Sequence, residues 1–296
     1  MRRMPPCSAP GGLTVGLVVL ATSCSTAAVS SGGSTPTDAS ADVPTAPVCP
    51  TNPDDLISDF TVDNGITGGG KMGFWYTYGD KSGRGTLVPA EGSTPKPDLS
   101  TGNPNCADGP GSLHVTAMGY VDWGAAIGAD FMTKVLLDGG AVGKGTYDAS
   151  QYRGFSFWAK ATAPVRFVQV SLKTPYSDIP SILPDGSQCV FDATMPTLNC
   201  SPYLVKFGYG YGTDPNVAKD FPAYVNYEID TTWKRFQILF ADAKQDRYNP
   251  GLKPPGDKLD ASQLTGLSIQ ANSDQSTMPP TANNFEIWID DVTFVR

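Results

Sequence analysis

The chain holds one histidine, His114, among 296 residues, only three glutamates, Glu91, Glu228 and Glu286, and no Cys-x-x-Cys pair. A zinc centre needs several Cys or His ligands at close spacing, so none is expected. The Gly-x-Ser-x-Gly elbow, the His/Glu zinc motif, the P-loop and a Gly-x-Gly-x-x-Gly entering a helix are all missing, which removes the commoner hydrolase, metalloprotease and nucleotide-binding readings. No apolar run approaches the roughly 20 residues that span a bilayer. No long segment has helical periodicity. Basic patches are missing too: the formal net charge is -8, and an acidic surface repels a polyanion, so nucleic acid is not an expected partner.

What is present begins with an export segment at residues 1–23. Arg2 and Arg3 precede the apolar run from Leu13 to Ala21, and small residues lead to Cys24. The sequence Leu20-Ala21-Thr22-Ser23-Cys24 is similar to a bacterial lipobox, in which the cysteine is acylated and becomes the mature N-terminus. Removing residues 1–23 takes away two arginines and no acid, so -8 becomes -10. The expected location is the cell envelope, as an outer-membrane-anchored lipoprotein or, alternatively, a secreted protein. Residues 24–50 hold no aromatic residue and no leucine. Such a stretch cannot bury enough apolar surface to offset its ordering entropy, and reads as a disordered tether.

Of six cysteines, Cys7 leaves with the signal and Cys24 is assigned to lipid, leaving Cys49, Cys106, Cys189 and Cys200. An even remainder in an exported chain reads as two disulfides with three possible pairings. Proximity in sequence favours Cys189 with Cys200 and Cys49 with Cys106.

Residues 51–296 read as one all-β domain, a β-sandwich. Strands are expected at 56–61, 73–78, 112–118, 125–131, 154–161, 165–172, 223–229, 233–240, 267–271 and 285–295, separated by turns that draw on 32 glycines and 26 prolines. Residues 80–110 and 174–222 read as long irregular loops, a length that is often functional. Asp148-Ala149-Ser150-Gln151 before Gly154 is echoed by Asp260-Ala261-Ser262-Gln263 before Gly266. Each Asp can cap a single turn that a glycine ends, so these are expected to be two equivalent entries into strands.

The last strand carries a phase slip. Phe285, Ile287 and Ile289 are apolar at odd positions, Val292 and Phe294 at even ones. Either the strand is buried on both faces, or a residue inserted near Asp290-Asp291 returns the later pair to the core, and the second reading is preferred. Two adjacent acids between large apolar residues need compensation. A hard cation such as calcium, with carbonyl oxygens from another strand, would supply it. Exposure to solvent, or hydrogen bonds from a turn, would also serve.

Aromatic residues mark the candidate binding surface. Trp75 falls on one face of its strand, with Phe74, Tyr76 and Tyr78 on the other. Tyr120 and Trp123 sit in a glycine-bounded loop, and Tyr209 and Tyr211 alternate with glycines. Such rings stack on the apolar face of a pyranose while nearby polar groups, Asp80 among them, bond its hydroxyls. A core position for any single ring is the plain alternative. His114, opposite Leu113, Val115 and Ala117, reads as structural. A glycosidase would need two carboxylates roughly 5 to 9.5 Å apart, and no motif marks such a pair.

Taken in order, Ile57-Ser58-Asp59-Phe60, Trp75-Tyr76-Thr77-Tyr78 with Asp80, the run Trp123 to Gly128, Tyr147-Asp148-Ala149-Ser150 with the run Gly154 to Ala159, Trp233-Lys234-Arg235-Phe236, and Ile289-Asp290-Asp291-Val292 resemble galactose-binding-like jelly rolls. More narrowly they resemble modules related to family-eleven carbohydrate-binding modules of bacterial surface lipoproteins. The resemblance implies a non-catalytic jelly-roll β-sandwich, a concave glycan-binding face, and a structural calcium joining the first and last strands. Carried over by position, that calcium falls to Asp59 and Asp291 with Asp290. Thr61 stands where many relatives carry glutamate, and 174–222 is longer than the compact pattern. The expected function is a monomeric, lipid-anchored polysaccharide-binding module. The alternatives are an envelope interaction protein that kept the fold without a sugar site, and a glycoside hydrolase.

Overall fold

The slip in the last strand is the feature that closes the molecule. The structure, a computed structural model, describes residues 52–296 apart from 62–65, 67–69, 81–82, 104–110, 137–141, 167, 178–180, 183–187, 190–202, 208–227, 246–257 and 275–277. The export segment, the tether and four cysteines named above (Cys24, Cys49, Cys106 and Cys200) lie outside the described residues, as do Tyr209, Tyr211 and all but the end of the strand expected at 223–229.

In chain order the described residues form β1 (Leu56–Ser58), β2 (Phe74–Gly79), β3 (Thr86–Val88), β4 (Pro97–Asp98), β5 (Ser112–Met118), β6 (Ala125–Asp130), β7 (Lys134–Leu136), β8 (Val142–Lys144) and β9 (Gly154–Ala161). They continue with β10 (Val168–Lys173), β11 (Ser181–Ile182), β12 (Gln188–Cys189), β13 (Tyr203–Phe207), β14 (Lys234–Leu239), β15 (Lys244–Gln245), β16 (Gly266–Ala271) and β17 (Phe285–Val295). Helical structure among the described residues is confined to short 3-10 turns at Phe240–Asp242 and Ala261–Gln263.

Two antiparallel sheets result. A seven-stranded sheet runs β14-β9-β17-β5-β3, with β1 added to β17 and β4 to β5; a six-stranded sheet runs β15-β13-β10-β16-β6-β2. Alternation along each strand sends one side chain in two to a shared core, where Ile57, Trp75, Leu113, Ile127, Phe155, Phe157, Leu172, Leu267 and Ile289 are all but inaccessible. Each such side chain contributes about 1.5–3 kcal/mol by leaving water. The architecture is an all-β sandwich of jelly-roll type.

β17 pairs with β5 along one edge and β9 along the other, and its register to β9 shifts between Asp290 and Thr293. This is the expected bulge. Asp291 takes a left-handed backbone (φ 48°), which absorbs the extra residue and returns Val292 and Phe294 to the core. Tyr147 and Tyr152 then stack on Phe294 with centroids 5.4 and 4.6 Å away. The first strand, β1, closes against this last one through Leu56 and Thr293.

The echoed turns behave alike. Asp148 and Asp260 each accept the backbone N–H two residues on, at 2.9 and 3.0 Å. The turns also touch, Ala149 N–H donating to the Ala261 carbonyl at 2.8 Å. They launch β9 into one sheet and β16 into the other.

The two stretches read as irregular require correction. Residues 80–110 supply β3 and β4, and residues 174–222 supply β11, β12 and β13, the last pairing with β10 over five positions from Val168↔Phe207 to Leu172↔Tyr203. Strands of two or three residues are set by the partner already in place, not by a long alternating pattern of their own. Cys189 enters as a backbone position of β12.

Candidate functional site

The six-stranded sheet presents one face away from the core. In β2 that face carries Phe74, Tyr76 and Tyr78, because Trp75, Thr77 and Gly79 point inward. Across the register Tyr76 lies opposite Gly128 and Tyr78 opposite Ala126. The small residues are the reason the rings can lie flat on the sheet. A Cβ at Gly128 would come within 2.7 Å of the Tyr76 ring. Centroids step from Phe74 to Tyr76 at 5.9 Å, on to Tyr78 at 5.8 Å, and then to Trp123 at 5.8 Å. Four part-exposed rings thus form one row, the last supplied by the loop before β6.

Beside the row runs a polar strip. Asp130 accepts from the Tyr76 hydroxyl at 3.2 Å and from Lys144 Nζ at 2.9 Å, while Lys173 Nζ donates to the same tyrosine oxygen at 3.0 Å. Burial pushes the Tyr76 hydroxyl above its ordinary pKa, with the two lysines pulling the other way, so it stays protonated and can donate to Asp130. Farther along, Asn272 Nδ2 donates to Gln169 Oε1 at 3.1 Å, and Gln270 Nε2 donates to Asn272 Oδ1. Gln270 also reaches the Trp123 carbonyl at 3.4 Å, tying the strip to the loop that holds that ring.

Of the residues singled out from the sequence, Tyr76, Tyr78 and Trp123 meet here. Three others do not, and their assignment is corrected. Trp75 has no exposed surface; its N–H donates to Ser58 Oγ at 2.8 Å and its ring packs on Phe60 at 5.4 Å. Tyr120 is buried against Gly79 and Gly85, where a Cβ would come within 2.2 and 2.3 Å of its ring. Asp80 is buried, its Oδ2 accepting from the Asp122 and Gly124 N–H groups at 2.8 and 3.1 Å, so it shapes the loop that presents Trp123. Sequence reasoning passed over Lys144, Lys173, Gln169, Gln270 and Asn272. The alternation of β10 and β16 puts Gln169, Lys173 and Gln270 on the outward side, but only the pairing of these strands next to β6 and β2 brings them beside the rings.

At the bulge, Asp290 and Asp291 are each 3% exposed. Asn103 spans both: its backbone N–H donates to Asp290 Oδ2 at 2.9 Å and its side-chain amide to Asp291 Oδ2 at 2.8 Å. Asp59 lies at the end of β1, its Oδ1 accepting the N–H and hydroxyl of Thr61 at 3.1 and 3.0 Å. Among the described residues no three His, Cys, Asp or Glu side chains gather into a metal cluster. Two buried carboxylates side by side are a donor set of the kind a hard cation takes together with backbone oxygens.

His114 is a surface residue. It stacks on Trp288 at 4.4 Å and bonds Glu286 at 2.9 Å, on the outward side of the other sheet.

No protein-family profile and no curated protein matches the chain. Among solved structures, it is similar to a family 11 carbohydrate-binding module from Clostridium thermocellum, in complex with a β-1,3-1,4-mixed-linked tetrasaccharide. That match has 12% identity, covers 81% of this chain and 94% of that one, and has a TM-score of 0.43. A family 30 carbohydrate-binding module of a Clostridium thermocellum cellulosomal cellulase matches with 13% identity, 81% and 96% coverage, and a TM-score of 0.40.

Proposed function

We propose that the protein is a non-catalytic polysaccharide-binding module that lays a sugar chain along Phe74, Tyr76, Tyr78 and Trp123. The observation that carries this is the unbroken row of four outward rings at 5.8–5.9 Å steps on a floor of Gly128 and Ala126. Successive pyranoses of an extended chain can each rest an apolar face on a ring, while Gln169, Gln270 and Asn272 exchange hydrogen bonds with hydroxyls along the side. Asp130 is committed to Tyr76 and Lys144, so it supports the orientation of a ring better than a role as catalytic acid. Affinity electrophoresis of the purified protein against β-glucans, xylan and galactan tests the reading. Tyr78→Ala and Trp123→Ala each weaken binding about tenfold with folding intact. Parental affinity in both variants, or no neutral glycan bound by the folded protein, turns the reading toward an interaction protein.

The same reading includes export through residues 1–23, acylation of Cys24 and display from the envelope on the 24–50 tether, as a monomer. Support comes from the sequence of that segment. Intact mass of the mature protein checks it, since diacylglycerol on Cys24 adds a defined increment. It also includes a structural calcium held by Asp59, Asp290 and Asp291, supported by the joint burial of Asp290 and Asp291 at the strand that closes the sandwich.

A further inference from the structure

We propose that the outward face of the seven-stranded sheet carries a second binding site, centred on Arg235 and Trp158, for the carboxylate of a uronic-acid-containing glycan. In β14 and β9 these residues stand directly opposite one another, one step along Lys160 of β9 faces Trp288 of β17, and on its other side Trp158 faces Asp290 of β17, whose carboxylate accepts from the Asn103 N–H. Their neighbours Phe157, Ala159, Phe236 and Ile289 are buried in the core, so alternation turns Trp158, Lys160, Arg235 and Trp288 to the outside. Cross-strand partners have Cβ atoms about 4.5–5.5 Å apart, close enough to hold one ligand group between them.

Two side chains at this place have donor capacity to spare. The Trp158 indole N–H is buried and has no hydrogen-bond partner among the described residues. An orphaned N–H of this kind costs free energy that folding alone gives no reason to bear. Arg235 donates one hydrogen bond, from Nη2 to Ser156 Oγ at 2.9 Å, and among the described residues no carboxylate pairs with it. Loss of solvation lowers its pKa, with no neighbouring acid acting the other way. A guanidinium has five N–H donors in a planar fork that matches a carboxylate in two-pronged fashion, which favours this group over a neutral hydroxyl.

The net charge of -8 opposes polyanions in general, but the two cations gathered here, Arg235 and Lys160, make a local exception that fits a charged sugar. Lys160 Nζ sits 5.0 Å from the Trp288 ring centre and 5.4 Å from that of Trp233, adding a second cation beside indole surface. Trp288 is braced on its other side by His114, stacked at 4.4 Å, and its N–H donates to Asp98 at 3.0 Å. A uronate pyranose brings both a carboxylate for Arg235 and the Trp158 N–H, and C–H surface for the part-exposed indoles. The site lies on the opposite sheet from the ring row and does not depend on the function proposed for that row.

The test is calorimetric titration of the full protein with hexagalacturonate, and with a neutral galactan hexamer as comparator. Binding of hexagalacturonate is expected, weakening as sodium chloride rises. Arg235→Met lowers affinity about tenfold or more, and Trp158→Phe, which keeps a ring and removes only the N–H, lowers it several-fold. Tyr78→Ala leaves hexagalacturonate binding unchanged. If Arg235→Met fails to fold, Trp158→Phe decides. Absence of hexagalacturonate binding by the folded parent, parental affinity in Trp158→Phe, or loss on Tyr78→Ala alone each overturns the proposal. Loss of neutral-glycan binding with hexagalacturonate binding retained would instead overturn the reading of the ring row.

Discussion

The two outward faces of the sandwich are both rich in rings, yet they leave different things over. On the six-stranded side most polar groups are linked to each other: Asp130 lies between Tyr76 and Lys144, the amides of Gln169, Asn272 and Gln270 form a chain, and only the buried Ser268 hydroxyl has no hydrogen-bond partner among the described residues. What is left over there is a continuous aromatic row. On the seven-stranded side one cation, Lys160, lies between Trp233 and Trp288, and the His114 ring is stacked beyond. What is left over is a pair of donors, Arg235 and the Trp158 N–H. An aromatic count along the sequence does not separate the two. The partner each ring already has decides what a further ligand must bring: apolar ring surface on one side, negative charge on the other.

The largest effect that sharpens this contrast lies on a single strand. Trp75→Ala removes a fully buried side chain together with the hydrogen bond it donates to the Ser58 hydroxyl, and should destabilise the domain by about 3–5 kcal/mol in urea unfolding. Tyr78→Ala, three residues on and outward, should cost far less stability while costing affinity. Similar losses of stability from both would mean that the outward row is part of the core.

Next is a substitution that touches no ring. Gly128→Val places its Cβ 2.7 Å from the Tyr76 ring and must push that ring off the sheet. Neutral-glycan binding should be lost, at a stability cost of about 1–3 kcal/mol. Hexagalacturonate binding on the other face should persist. Loss of both would merge the two faces into one site.

Chelation bears on the seven-stranded side, where β17 bulges. If calcium binds the native state, EDTA should lower the melting temperature by about 5 °C, and Asp291→Asn should lower it similarly and abolish the EDTA response. An unchanged melting curve removes the ion from the account.

The smallest effect arises outside both faces, where Lys71 lies 4.7 Å from the Tyr147 ring and donates to the Asp54 carbonyl at 3.1 Å. Burial lowers its pKa from 10.5 to about 8. The unfolded lysine keeps its proton up to about 10.5, so between those values the unfolded state binds more protons and stability rises with pH. Tyr147 and Tyr152 act oppositely: burial raises their pKa values, and above about 10 the unfolded chain releases protons that the folded one retains. Chemical denaturation from pH 7 to 10 should show the rise, and Lys71→Met should flatten it. This background must be subtracted before any pH dependence is assigned to either face.

Much of this was legible before any coordinates. The phase slip from odd to even positions in 285–295 announced the bulge, since a period of two tolerates no other way of keeping Ile289 and Val292 both inside. The paired Asp-Ala-Ser-Gln segments announced two capped turns. Alternation also separated Trp75 from Phe74, Tyr76 and Tyr78, but did not say which side was covered. Three aromatics against one would favour burying the three, and the fold does the opposite, because Trp75 has Phe60 and Ser58 to pack on and its neighbours have small residues of β6 beneath them. Tyr120 and Trp123, three residues apart in one loop, go separate ways for a similar reason: glycines at 79 and 85 open a slot for one ring only.

The sequence by itself therefore determined the two-faced strands, the turns between them and the inserted residue in the last strand, all of which follow from side-chain period and local backbone preference. Only the tertiary structure decided which rings stay at the surface, that Asn103 would span the two acids, and that Arg235 would stand beside an indole N–H with no acceptor. Those outcomes depend on which strands become neighbours, and strand pairing brings together residues as far apart in the chain as Leu56 and Thr293, beyond the reach of any local pattern.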